Sequence, residues 1–186
     1  MTPLLAATAA VLIAGAVILT FNRLTRSRER VREAWSGIDV QLQRRADLVP
    51  NLVEAVKGYA AHERGVFEAV TRARGAVQGA RGAAEATTAN LALGGAIGRL
   101  FALAEAYPEL QAATSFVALQ TELSDIEEKI GYARHFYNGN VLDYNTRVRR
   151  FPSLIVARAF LFRPEEFFEA EEEATGAVKV SFEDGS

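Results

Sequence analysis

Three observations predict an all-α fold that begins with a transmembrane helix. Residues 4–21, LLAATAAVLIAGAVILTF, carry no charge. Beyond them, apolar residues recur at steps of three, four or seven along two long stretches, the period of a helix face rather than of a strand. Strand-like alternation is confined to VKVSF, residues 178–182, which suits a lone extended peptide. The 186 residues suffice for one domain beside a membrane segment. They divide into an anchor (1–22), a basic juxtamembrane neck (23–34), a helical body (35–163) and an acidic, disordered tail (164–186). Cysteine is absent, which excludes disulfides, thiolate metal sites and a cysteine nucleophile. The net charge of -2 averages the basic neck against the acidic tail.

The anchor comes first. Its 18 residues would rise roughly 27 Å as a helix, against a hydrocarbon thickness of about 30 Å. No basic residue precedes the apolar run, as one would before a cleaved signal peptide. Arg23, Arg26, Arg28, Arg30 and Arg32 follow it at once, opposed only by Glu29 and Glu33. The positive-inside rule keeps these arginines cytoplasmic, so the short N-terminus is expected outside and the body in the cytoplasm.

Next, Trp35, Ile38, Leu42, Val49, Leu52, Val56, Tyr59, Val66 and Val70 fit a coiled-coil-like heptad seam, predicting a helix of more than about 40 residues. Pro50 cannot donate to the carbonyl of Ala46, so a kink or local opening is expected there. From Gly75 to Asn90 the seam dissolves into Gly, Ala and Thr, which reads as a loop. Thr88 or Asn90 would cap a second helix running to Tyr107. Pro108 then opens a third, with a seam at Phe116, Leu119, Leu123, Ile126, Ile130, Ala133, Tyr137, Val141, Tyr144, Val148 and Phe151. Between Pro152 and Pro164 lies SLIVARAFLF, too apolar to remain bare in water. The open end of the body is its expected cover, with Ile155, Phe160 and Phe162 closing the core. The alternative is the bilayer, with Arg147, Arg149 and Arg150 meeting anionic headgroups.

No constellation for catalysis emerges. His62 and His135 lie on different predicted helices, and neither completes a zinc-protease or di-iron pair. No P-loop or dinucleotide fingerprint is present. No cofactor, metal or nucleic acid is expected. The patterned polar residues offer another role. Glu127 and Arg134 are seven apart on the third helix, as are Asn138 and Asn145, alongside the apolar seam. On the first helix Arg45 falls on the seam itself, near Arg44, Asp47 and Asn51. Pairing of Arg45 with Glu127 or Glu105 would fix helix register. Alternatively these polar groups form a groove for a partner helix. In that case Arg45→Ala and Asn51→Ala would impair partner capture and leave stability nearly unchanged.

The segments AWSGIDVQLQRRADLVPNLVEAVKGYAAHE, LAEAYPEL, ARHFYNGNVLDYNTRV and FPSLIVA, in that order, resemble the LemA family of bacterial membrane proteins. The resemblance implies an N-terminal transmembrane helix followed by an elongated antiparallel four-helix bundle in the cytoplasm, held at the inner membrane. It implies no enzymatic activity or cofactor. The Ser-Leu pair after Pro152 and the alanine-rich stretch 80–90 depart mildly from the family pattern. The expected function is a non-catalytic interaction module or scaffold for membrane-associated protein partners. The alternatives are a module that senses or shapes anionic lipid and, more remotely, an unfamiliar hydrolase.

Overall fold

A computed structural model describes residues 2–60 and 62–168. The tail beyond Phe168, with the VKVSF peptide, lies outside the described residues. Six helices and no strand are present among the described residues: α1 (Thr2–Lys57), α2 (Arg64–Gly79), α3 (Gly82–Ala104), α4 (Pro108–Gln111), α5 (Thr114–Arg149) and α6 (Ser153–Ala159). The candidate membrane span and the first helix of the body are thus one helix. Its 56 residues extend about 84 Å. The apolar window within it has a mean hydropathy of 2.5 and is not buried against the rest of the chain.

α5 lies along α1 and runs antiparallel to it. Ser27 meets Asp143, Trp35 meets Tyr137 and Arg45 meets Glu127, so one number falls as the other rises. α2 and α3 form a hairpin packed on α1. The core is a continuous apolar seam. Ile38, Leu42, Val49, Leu52 and Val56 from α1 meet Leu93 and Leu100 from α3 and Phe116, Val141 and Tyr144 from α5. Burial begins at Leu24, so the neck is part of the helical body rather than a spacer.

Several expectations need correction. The first seam does not continue to Val70 on one helix. α1 ends at Lys57, with the N–H groups of Tyr59 and Ala60 both donating to the Val56 carbonyl at 3.0 Å. Val66 and Val70 belong to α2, and Tyr59 is exposed. The chain must reverse here to lay α2 back on α1. At Pro50 the helix runs on, and the Ala46 carbonyl, which proline cannot serve, accepts from Arg74 Nε at 2.9 Å, so the opening there is local and does not break the helix. The stretch 75–90 is not a loop: α2 and α3 together cover almost all of it, because alanine is the best helix former. The break reduces to Ala80, Arg81 and Gly82. Ala80 and Arg81 are extended, and Gly82 has φ +79°, a left-handed conformation that glycine adopts without strain. Glu85 accepts a hydrogen bond from the Arg81 N–H at 2.9 Å and steadies the new helix start. Thr88 and Asn90 therefore lie within α3 and cap nothing. Pro108 opens only the single turn α4 before α5 begins. The α5 seam holds to Val148, whereas Phe151 is exposed.

The segment after Pro152 also differs from expectation. Val156 and Ala157 are the residues of α6 that enter the core, while Ile155 and Phe160 are exposed. Phe160 and Phe162 stand edge-on to Phe21, with ring centroids 4.9 and 5.5 Å away, so α6 sits beside the end of the apolar run of α1. α6 closes in a Schellman turn. The N–H of Phe162 donates to the Ala157 carbonyl at 2.9 Å and that of Leu161 to the Arg158 carbonyl at 3.3 Å. Leu161 fills the left-handed position, φ +58°, where glycine is usual. Finally, residues 164–168 are not disordered; they form a strap along the body.

Candidate functional site

The strap is held by a repeat in α5. The dipeptide Tyr-Asn occurs at 137–138 and again at 144–145 in YNGNVLDYN. Seven residues of helix rise about 10.5 Å, and three residues of extended chain span about 10 Å. The two repeats therefore match two strap residues three apart, Phe168 and Glu165. Asn145 donates through Nδ2 to the Glu165 carbonyl and accepts at Oδ1 from the Glu165 N–H, both at 2.9 Å. Asn138 does the same for Phe168, at 2.9 and 3.0 Å. The tyrosines alternate with them. Tyr144 donates to the Arg163 carbonyl at 2.9 Å and Tyr137 to the Glu166 carbonyl at 2.8 Å. Six side-chain bonds thus satisfy a backbone that has no sheet to join. Such contacts read main chain and not side-chain identity.

Side-chain selection comes from the two ends of the strap. Phe168 is 1% exposed and packs near Trp35, with centroids 6.0 Å apart, while Trp35 stands edge-on to Tyr137 at 5.5 Å. At the other end Arg28 bonds Glu165 at 3.2 Å. Burial, and secondarily the nearby Glu165 and Glu166 carboxylates, push the Tyr137 hydroxyl up to about 12. Burial raises Tyr144 as well. Both phenols are therefore neutral donors at physiological pH, suited to holding carbonyls.

Beyond Phe168 lies a cavity of about 140 Å³, lined by Arg45, Asn90, Glu127, Gly131 and Arg134 among others. Arg45, 7% exposed, reaches Glu127 at 2.6 Å and the Asn90 side-chain oxygen at 2.6 Å. The pair joins α1, α3 and α5 at one level. Of the polar residues singled out in the sequence, Arg45, Glu127, Arg134 and Asn138 converge on the cavity and the adjoining strap, and Asn145 lies at the other end of the strap. Arg44 and Asp47 do not converge with them; they are exposed beside Glu122, Asp125 and Lys129. Asn51 is exposed as well. Along the neck, Arg28 turns to the strap and Arg32 pairs with Glu29 at 2.7 Å, while Arg23, Arg26 and Arg30 are exposed. His62 sits in the turn after α1 and His135 on the exposed side of α5. Among the described residues no group of acidic or histidine side chains is arranged to hold a metal.

The strap is not visible in the sequence alone. Tyr137 and Tyr144 read as core, and Asn138 and Asn145 as a flanking strip. The available signal was the exact heptad recurrence of the dipeptide, with a short run after Pro164 able to lie against it.

These features define an all-helical protein with one candidate membrane helix and a polar groove that clasps an extended segment. The chain belongs to the LemA family, whose family model matches residues 34–182. It is similar to magnetosome protein MamQ of Magnetospirillum gryphiswaldense, with 26% identity over 82% of this chain and 65% of that protein. Magnetosome protein MamQ 2 of Paramagnetospirillum magneticum is 25% identical over 82% of this chain and 66% of its own length. The match thus spans just under two thirds of each of these relatives.

Proposed function

We propose that the protein is a non-catalytic, single-pass membrane scaffold whose elongated antiparallel four-helix bundle stands in the cytoplasm and is presented to membrane-associated protein partners. The supporting observation is the continuity of α1. The same helix supplies the candidate span and the central seam of the body, so the body is held at a set angle and distance from the bilayer instead of swinging on a linker. The arginines from Arg23 to Arg32 favour the N-out orientation. The exposed residues Arg44 and Asp47 are the partner-facing candidates. The names of the relatives place them at magnetosomes and carry no reaction with them, which fits a scaffold.

The absence of cysteine makes the topology directly testable. A Glu122→Cys chain should react with a membrane-impermeant maleimide only after spheroplasts are opened; labelling of intact spheroplasts would overturn the orientation. A photo-crosslinking side chain at position 44 or 47 should trap a discrete protein in native membranes. A second reading, a lipid-surface module, is favoured by the exposed apolar residues Phe151, Ile155, Phe160 and Leu161 near the end of the span. Crosslinking to lipid alone would select it.

A further inference from the structure

A cavity of about 320 Å³ opens where the apolar run of α1 ends, between that helix and the α5–α6 corner. Its lining includes Thr20 and Arg23 from α1, Arg147 and Arg150 from α5, and Phe151 and Ser153. Three arginines thus line it, and no acidic residue does among the described residues. Arg147 is shared with Asp143, bonded at 3.0 Å, and that contact holds the Asp143 carboxyl below its ordinary range. Neither Arg23 nor Arg150 has an ion-pair partner among the described residues.

A helix C-terminus ordinarily repels an anion through its free carbonyls. Here those of Arg147 and Arg150 are occupied: the Ser153 hydroxyl lies 2.6 and 2.8 Å from them, and the Leu154 N–H donates to the latter at 2.8 Å. Next to the cavity the surface changes character. Phe151 is 74% exposed, Leu161 78%, Ile155 61% and Phe160 53%. Leu161 holds that position in a left-handed conformation costly to a branched side chain.

We propose that this corner binds an anionic phospholipid of the membrane that α1 enters, with the phosphate among Arg23, Arg147 and Arg150 and the acyl chains against the Phe151–Leu161 face. The inference rests on the reading that residues 4–21 span the bilayer, since the span brings the cavity to headgroup level. The paired chemistry favours a lipid over free phosphate. Cations meet the headgroup, and the apolar face, useless to an inorganic ion, meets the chains.

The full chain in neutral detergent, titrated with phosphatidylglycerol and with phosphatidylcholine of identical acyl chains, supplies the test by native mass spectrometry. Phosphatidylglycerol should bind about 25-fold more tightly, and Arg23→Gln with Arg150→Gln should remove that preference, since each of these two basic contacts contributes roughly a factor of five. The charge-matched control is Arg72→Gln with Arg99→Gln. These residues flank the α2–α3 groove, and Arg72 is roughly 35 Å along α1 from Arg23; the control should bind like the parent. Equal binding of the two lipids, an equal loss in the control, or competition by millimolar inorganic phosphate would each overturn the proposal. Alkaline carbonate extraction of native membranes tests the span separately. A chain released by carbonate sinks the membrane reading whatever its lipid preference in detergent.

Discussion

Pro50 and Arg74 act as one unit although they lie on different helices. Proline leaves the carbonyl of Ala46, a fully buried residue, without its helical donor, and Arg74 Nε supplies one at 2.9 Å. An unmet buried carbonyl costs about 1–3 kcal/mol, so Arg74→Ala should destabilise by about 1 kcal/mol or more. In a Pro50→Ala background, where residue 50 can donate to that carbonyl itself, the loss should largely vanish. A double-mutant cycle of thermal melts in mild detergent measures the coupling, and additivity would refute it. Arg45 needs a different account from the expectation that its removal leaves stability unchanged. Its guanidinium is buried, whereas the Glu127 side chain is 43% exposed. Glu127→Ala, which weakens the pairing of a buried cation, should therefore cost about 2 kcal/mol, and Arg45→Met, which removes the charge but keeps the stem, clearly less. Leu161→Gly should raise the melting temperature, because glycine relieves about 1 kcal/mol of left-handed strain. A fall would contradict that backbone conformation.

At the level of elements, the strap depends on an agreement between two repeat lengths, and its bonds are chemically specific. Asn145→Asp is nearly isosteric but replaces the donating amide with an oxygen facing the Glu165 carbonyl. Asn138→Asp does the same at Phe168. Either change should accelerate amide exchange of residues 165–168 by tenfold or more while leaving the α1–α2 region unaffected, a pattern that hydrogen-exchange mass spectrometry resolves. The tyrosines add a pH dependence. Tyr137 is an acid whose pKa is raised in the fold, from 10.0 to about 12. The folded state therefore retains the proton where the unfolded chain has lost it. The stabilising contribution is complete below about pH 10 and disappears as pH rises towards 12. Strap exchange should accelerate over that interval beyond the intrinsic base-catalysed rate, and Tyr137→Phe should remove much of the excess.

Across the whole molecule, α1 is the shared support: α5, the α2–α3 hairpin and α6 all pack on it. Phe21 lies where span meets body and touches Phe160 and Phe162. The body and candidate span therefore share a packed joint as well as a helix. That joint places the basic cavity and the apolar face at one level, which a flexible tether would not do.

Much of this was legible in the residues alone. An uncharged run followed by arginines needs no tertiary context, because its length and composition are matched to a solvent rather than to a neighbour. The α5 seam from Phe116 to Val148 was likewise readable, since a helix buried along one stripe imprints a period near 3.6 on its sequence. Where α1 ends was not readable: the apolar period carries on from Val56 to Val70 across a reversal, and periodicity does not record direction. The alanine-rich stretch resembled a loop because small residues leave almost no periodic contrast, although their backbone preference is helical. Tertiary structure alone decided that Arg74 would serve Ala46, that two asparagines would hold a strap and that α6 would turn Val156 and Ala157 inward. Each depends on a side chain meeting a main-chain group or cavity distant in sequence, and only the packing of one helix on another sets those distances.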